Sequence, residues 1–391
     1  MTASTEAHLP DSDRPFTAAW REAAERRQAA ALPAGETVVS CTAPLGTGGL
    51  GRHLGEIVGA LERRGNASVC ICGSTRAEDA DATRGAPRHR LGIPYLERAL
   101  ALLPVGVTPG VRTRAFMSEF DAYAAERLPP AEHLIAFNCQ ALTQVRAARP
   151  AGYASVGLVS ANSHLRRLAA QHALARRSYP LEGSWAAHLL RRCLAEYASA
   201  DRIYVASSYI RDSFLEEGFP EELLSYFPLT PDPRFERAGA RAPSERFEIV
   251  YVGSLAVHKG VPLLIDAVRR LPHADVSLVL VGGWGTRGMR RFVQAACAAD
   301  PRISVRPGDP LAHLNSASVC VHPAYEDGFA YAPAEALARG VPVIVSEDTG
   351  MKELIDGPSD GLVVPTGELD VLTEALEAAY RGEAFARSPR R

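Results

Sequence analysis

Two carboxylates stand eight residues apart in the stretch Asp327-Gly328-Phe329-Ala330-Tyr331-Ala332-Pro333-Ala334-Glu335. An apolar run over 318–321 leads in as a buried strand, and Gly328 permits a tight turn. Residues 332–339 are good helix material closed by Gly340, and 341–345 form the next strand. Asp327 therefore falls in a turn and Glu335 inside a helix. The helix start between them offers N–H groups and a positive dipole end, which suit a phosphate. Glu335 is followed by an apolar face, so its carboxylate needs a polar partner, and ribose hydroxyls would serve. Paired carboxylates also cleave glycosides, but a turn acid and a helix acid beside a phosphate-binding helix start suit binding better. Lys259 adds a cation in Gly253-Ser254-Leu255-Ala256-Val257-His258-Lys259-Gly260, between a strand over 247–252 and a helix over 261–271. From the residues alone, a plain strand–turn–helix with solvated acids and an exposed loop lysine stays open.

These residues resemble the acid-x7-Glu signature of retaining glycosyltransferases of the GT-B fold, family 4 (group 1 glycosyltransferases). That family usually has Glu-Gly-Phe-Gly and Glu-Ala-Met-Ala where this chain has Asp327-Gly328-Phe329-Ala330 and Glu335-Ala336-Leu337-Ala338. Asp327 keeps the charge with a shorter reach, Ala330 replaces a glycine, and Glu326 next door is a rival for the first acid. The family's Gly-Arg-Leu-x-x-x-Lys-Gly corresponds to the Ser254–Gly260 stretch: Lys259 matches, but Ser254 stands where the second phosphate-binding cation is usual. His258 or Arg52 are candidates to compensate. Asp348-Thr349-Gly350-Met351-Lys352-Glu353-Leu354-Ile355 is similar to a further family turn. The resemblance spans residues 37–380, strongly in the second half and loosely in the first.

The elements that must carry these residues alternate strand and helix along 391 residues, long enough for two domains. Hydrophobic residues make up 47% and charged ones 23%, as in an ordinary globular protein, and a net charge of −2 argues against a nucleic-acid partner bound by bulk electrostatics. Seven scattered cysteines read as buried thiols, and no apolar stretch approaches the roughly 18–20 residues needed to span a bilayer. Residues 1–14 read as disordered and 16–31 as a helix with Trp20 as its docking anchor. A strand over 37–44, the loop Gly46-Thr47-Gly48-Gly49-Leu50-Gly51 and a helix over 52–64 formally match G-x-G-x-x-G. A dinucleotide site also wants an acid about 20 residues on. The second strand, 67–72, runs instead into Ser74 and Arg76, which would suit NADP. Helices are expected over 95–103, 115–127, 164–177 and 185–198. The proline-rich stretch 227–233 reads as an irregular interdomain linker. His164, after a strand over 154–160, is a candidate site residue; an N-cap histidine at the surface is the competing reading. Arg166-Arg167, Arg176-Arg177 and Arg191-Arg192 form either solvated helix faces or a contact with an anionic membrane.

The expectation is an α/β protein with two Rossmann-like, doubly wound domains of the GT-B type facing a central cleft. It comprises an extension (1–35), an acceptor domain (36–230), a nucleotide-sugar donor domain (245–370) and a C-terminal helix and tail (371–391), the helix crossing back to the first domain. The resemblance implies a retaining, metal-independent hexosyltransferase in the cytoplasm. It would use a UDP- or GDP-sugar as co-substrate, with no other cofactor, and a small-molecule or lipid-linked acceptor. Catalytic roles fall on Asp327, Lys259 and His164. Donor contacts fall on Glu335, Gly48, Gly49, Ser254, Arg306, Gly328, Phe329, Ala330, Tyr331 and Ala332, with the base near Arg306 and Pro307. A peripheral membrane contact and a homodimer remain open. An NAD(P)-dependent oxidoreductase and a GT-B sugar-nucleotide epimerase or binding protein are the alternatives.

Overall fold

The computed structural model describes residues 16–73, 89–91, 109–183, 186–237 and 244–385. Residues 1–14, the helix expected over 95–103, and Ser74 and Arg76 lie outside the described residues. Runs such as Phe-Glu-Ile-Val-Tyr-Val and Val-Ser-Leu-Val-Leu-Val are buried along most of their length, the pattern of parallel strands covered by helices on both faces. The chain forms two compact units.

The first unit holds Glu22–Ala169 and Gly183–Leu229. Its strands are β1 (Thr37–Cys41), β2 (Ser68–Gly73), β3 (His89–Leu91), β4 (His133–Phe137), β5 (Ser155–Ser160), β6 (Arg202–Val205) and β7 (Leu224–Tyr226). They build one parallel sheet in the order β3-β2-β1-β4-β5-β6-β7. The helices of this part of the chain are α1 (Ala18–Ala31), α2 (Gly48–Arg63), α3 (Pro109–Ala125), α4 (Leu142–Ala148), α5 (Leu165–Ser178), α6 (Ala186–Tyr197) and α7 (Ser208–Leu215), of which α1 up to Arg21 and α5 from Ala170 on group with the second unit. Trp20 anchors α1 as expected, at 2% exposure. The boundary between the two units falls inside the stretch read as the linker, and its first residues pack into the first unit. Phe227 and Leu229 are buried, Phe227 N–H donates to Val205, and Gln28 Nε2 donates to the Pro228 carbonyl at 2.7 Å.

The second unit holds Thr230–Arg391 together with the described residues up to Arg21 and with Ala170–Glu182, a segment expected with the first domain. Its parallel strands are β8 (Phe247–Val252), β9 (Val276–Val281), β10 (Ile303–Val305), β11 (Val319–His322), β12 (Val343–Ser346) and β13 (Gly361–Val364), in the order β10-β9-β8-β11-β12-β13. The helices are α8 (Pro233–Arg237), α9 (Val261–Arg270), α10 (Arg287–Ala299), α11 (Pro310–Ser316), α12 (Tyr331–Ala338) and α13 (Leu369–Tyr380). Pro233, expected to exclude regular structure, is the first residue of α8, where its missing N–H is not needed. Leu372, Leu376 and Ala379 of α13 bury into the same core as Leu264 and Val268 of α9. The C-terminal helix therefore belongs to the second unit's core. In both sheets the strand order reverses beside the first strand, between β1 and β4 and between β8 and β11. Ligands bind at the carboxyl ends of strands at such points.

Candidate functional site

At the carboxyl ends of β8 and β11, close backbone approaches bring two loops together. Gly260 has φ 74°, and a Cβ there would lie 1.9 Å from the Pro323 carbonyl oxygen, so only glycine fits. Tyr325 N–H then donates to the His258 carbonyl at 2.8 Å. This places Lys259 Nζ 2.8 Å from Asp327 Oδ2 and 3.0 Å from the Glu326 carbonyl oxygen. Asp327 Oδ2 also meets His322 Nε2 at 3.0 Å. The His322 ring lies parallel to Tyr251, centroids 5.8 Å apart, and Tyr251 donates its hydroxyl to the Ser254 carbonyl at 2.8 Å. Burial alone would favour a neutral Asp327, but the Lys259 ammonium and the His322 bond override it and hold the carboxyl far below its ordinary range.

Beyond Asp327 the main chain is fixed against the segment after β12. Asp327 N–H donates to Asp348, Gly350 N–H to Asp327 and Met351 N–H to Phe329, all at 2.8–3.0 Å. Ala330 then takes a left-handed conformation, φ 65° and ψ 83°, and α12 starts at Tyr331. Glycine is favoured at such a position, so Ala330 carries strain. Gly328 and Phe329 are buried and Tyr331 and Ala332 half-buried. Glu335, within α12, is 4% exposed. Cys320 on β11 has its thiol pushed up to about 12, first by burial and then by the charge of Glu335.

The other expected residues divide between the units. Ser254 is exposed at the end of β8, and Arg306 is exposed at the end of β10, its N–H donating to the Leu280 carbonyl at 2.9 Å. His258 lies beside Lys259 with its ring 4.5 Å from His172 and its Nδ1 3.6 Å from Glu182 Oε1. Burial lowers its pKa in spite of Glu182, so it is a neutral imidazole and does not replace the cation missing at Ser254. In the first unit, Gly48 and Gly49 are exposed at the start of α2, and Gly48 has φ 64°. The close approach in that loop is made by Gly51, where a Cβ would lie 2.0 Å from the Pro44 carbonyl oxygen. His164 requires correction. Its ring is wholly buried against Tyr197, Phe214 and Phe219, and burial lowers its pKa. The structure thus packs His164 as a core histidine and not as the surface N-cap residue of the competing reading. Arg166, Arg167 and Arg192 are held in ion pairs with Glu217, Glu216 and Glu196.

Two groups at this site escaped sequence reasoning. His322 ends an apolar strand and looks like its boundary; its signal was a polar residue five positions before Asp327. Glu182 lies in a segment with no visible tie to the second unit, yet its Oε1 accepts the Val257 N–H at 2.7 Å and so holds the loop leading to Lys259. Among the described residues no group of three or more His, Cys, Asp or Glu could hold a metal ion, and no helix is long and apolar enough to cross a membrane.

Two doubly wound parallel sheets, the second with a lysine–carboxylate couple at its switch point, define a GT-B protein. Residues 232–391 match the family model described as glycosyl transferases group 1. The chain is 28% identical over 356 residues to a GDP-mannose-dependent alpha-(1-6)-phosphatidylinositol monomannoside mannosyltransferase of Mycobacterium tuberculosis, covering 84% of each chain. It is 25% identical over 147 residues to the capsular polysaccharide biosynthesis glycosyltransferase CapM of Staphylococcus aureus, covering 36% of this chain and 39% of that one. Matches to the first of the curated relatives span about two fifths of their length. Among solved structures, HepE of Anabaena in complex with UDP-glucose superposes with a TM-score of 0.63 at 16% identity, covering 90% of this chain and 92% of that one, a likeness of fold.

Proposed function

We propose that the protein is a retaining glycosyltransferase that moves a sugar from a UDP- or GDP-sugar to an acceptor nucleophile without a protein-bound metal. The observation that carries this reading is the contact of Lys259 with Asp327 at the end of β11, immediately before the strained entry to α12. An ammonium has three N–H donors. Asp327 and the Glu326 carbonyl take two, and the third is available to a leaving diphosphate. The N–H groups around Ala330, Tyr331 and Ala332 add the positive end of a helix. Asp327, held ionised, accepts from hydroxyls of the sugar. Glu335 takes the ribose hydroxyls, which would repay the burial of its carboxylate. The main chain at Arg306 and Pro307 borders the base. Retention follows if the departing phosphate deprotonates the acceptor on the face it leaves. The mycobacterial relative's printed dependence on GDP-mannose and the UDP-glucose bound in HepE support these two donor classes.

The test is a thermal-shift panel of UDP, GDP, ADP, dTDP and their sugars, with NADP as a control. Stabilisation by one uridine or guanosine diphosphate and its sugar is expected. A shift with NADP alone would replace the reading with an oxidoreductase. Proton NMR of the product formed with the best donor should show the donor's anomeric configuration preserved.

A further inference from the structure

Asp327 is gripped at one oxygen only. Its Oδ2 meets both Lys259 Nζ and His322 Nε2, whereas Oδ1 has no hydrogen-bond partner among the described residues. His322 is the one polar residue of β11 (Val-Cys-Val-His) and is 4% exposed. A carboxylate acceptor requires the proton on Nε2, and Nδ1 is left buried with no hydrogen-bond partner among the described residues. A half-satisfied buried imidazole is a poor stabilising device, because its unpaired nitrogen has lost water and gained nothing. It is, however, a good directional one. Lys259 offers a flexible, rotatable ammonium that tolerates many carboxylate orientations. The His322 ring is held by its strand and by the parallel Tyr251 ring, which is itself tethered to Ser254. We propose that His322 is a positioning residue: with Lys259 it pins Asp327 Oδ2 and turns Oδ1 toward the sugar hydroxyls of the donor. The inference rests on the glycosyltransferase reading above for what Oδ1 meets, and on this chain's geometry alone for the pinning. It also accounts for a shorter acid serving here, since a carboxylate drawn toward the sheet by two donors needs a fixed direction more than reach.

Two variants test it. His322→Leu removes the donor and keeps an apolar side chain; His322→Gln presents an amide nitrogen near the place of Nε2. Crystal structures of both, without ligand, should show Asp327 leaving its wild-type rotamer in the first and keeping it in the second. Affinity for the nucleotide sugar should fall about tenfold in His322→Leu, the size of one hydrogen bond to a charged group, and recover in His322→Gln. Affinity for the nucleoside diphosphate alone should not change. An unmoved Asp327 in His322→Leu, or equal losses for the diphosphate and its sugar, would overturn the proposal. If the leucine variant does not fold, His322→Asn, whose amide is too short to reach Asp327, must show the same rotamer change and the same selective loss. The crystallographic arm needs no ligand, so failure of the wild type to bind any nucleotide sugar would remove the functional reading while the pinning is still decided.

Discussion

Residue types at the site explain which substitutions it tolerates. Ala330 holds a left-handed conformation that costs an L-residue with a Cβ roughly 1–2 kcal/mol, partly offset by the greater chain entropy that a glycine would lose. Ala330→Gly should therefore stabilise the protein by about 1 kcal/mol, read as a raised urea midpoint at unchanged slope. A lowered midpoint would mean that the methyl group's packing outweighs the strain. Lys259→Ala should cut turnover at least tenfold, since a hydrogen bond to a charged group is worth about 1.5–3 kcal/mol. Glu335→Gln should lower donor affinity while leaving the melting temperature near wild type; wild-type turnover in that variant would remove Glu335 from the donor site. At this scale the sequence was informative where chemistry depends on spacing. Asp327 and Lys259, 68 positions apart, meet because Gly260 allows the close approach to Pro323. It was uninformative where burial decides, as at His164, because nothing in Asn162-Ser163-His164 announces that Tyr197, Phe214 and Phe219 close over the ring.

Elements were legible to the degree that their apolar runs were clean. β8 and β9 have the bounds expected of them because glycines end both runs. α2 starts at Gly48, four residues before its expected start, because Gly48 and Gly49 join the helix rather than precede it. β7, three residues long, was invisible beside the prolines that follow it. Placement of Ala170–Glu182 with the second unit has no local signal at all, since it depends on contacts such as Glu182 with Val257. One element carries a pH-dependent load. The loop between β4 and α4 donates the N–H groups of Cys139, Ala141 and Leu142 to Glu196 on α6, at 2.5–3.0 Å. Burial pushes the Glu196 carboxyl up to about 7, although Ala141 N–H and Arg192 pull it down. A raised carboxyl pKa favours the folded state when protonated, so this contribution is present below about pH 4.5 and lost as pH rises through about 7. Glu196→Gln should remove that loss, on the order of 3 kcal/mol between pH 4.5 and 8. Parallel stability curves for wild type and variant across that range would show the group already ionised in the fold.

Across the molecule both units bury histidines, and in the first a raised carboxyl, Glu196, is set against them. His53 in the first unit, packed on Phe137 and Phe227, has its pKa lowered to about 3 by burial, and His164 is lowered as well. In the second unit His172 is lowered to about 2, first by burial and then by His258 and Lys259, and His258 is lowered too. A depressed histidine pKa means that unfolding takes up a proton. Stability is therefore retained above about pH 6.5 and falls below it, by up to about 1.4 kcal/mol per pH unit per histidine. In the first unit Glu196 works in the opposite sense between about 4.5 and 7, offsetting one histidine. In the second, Asp327 adds a further loss in the same direction, confined to pH below its unfolded value near 3.8. Acidification from pH 7.5 to 5 should thus weaken the second unit more than the first. Hydrogen exchange, corrected for intrinsic rates, would read this as a larger loss of protection in β8 and β11 than in β1 and β4. In Glu196→Gln the difference should shrink, since the first unit then loses its counterweight, and a first unit that softens before the second in wild type would contradict the assignment of these buried groups.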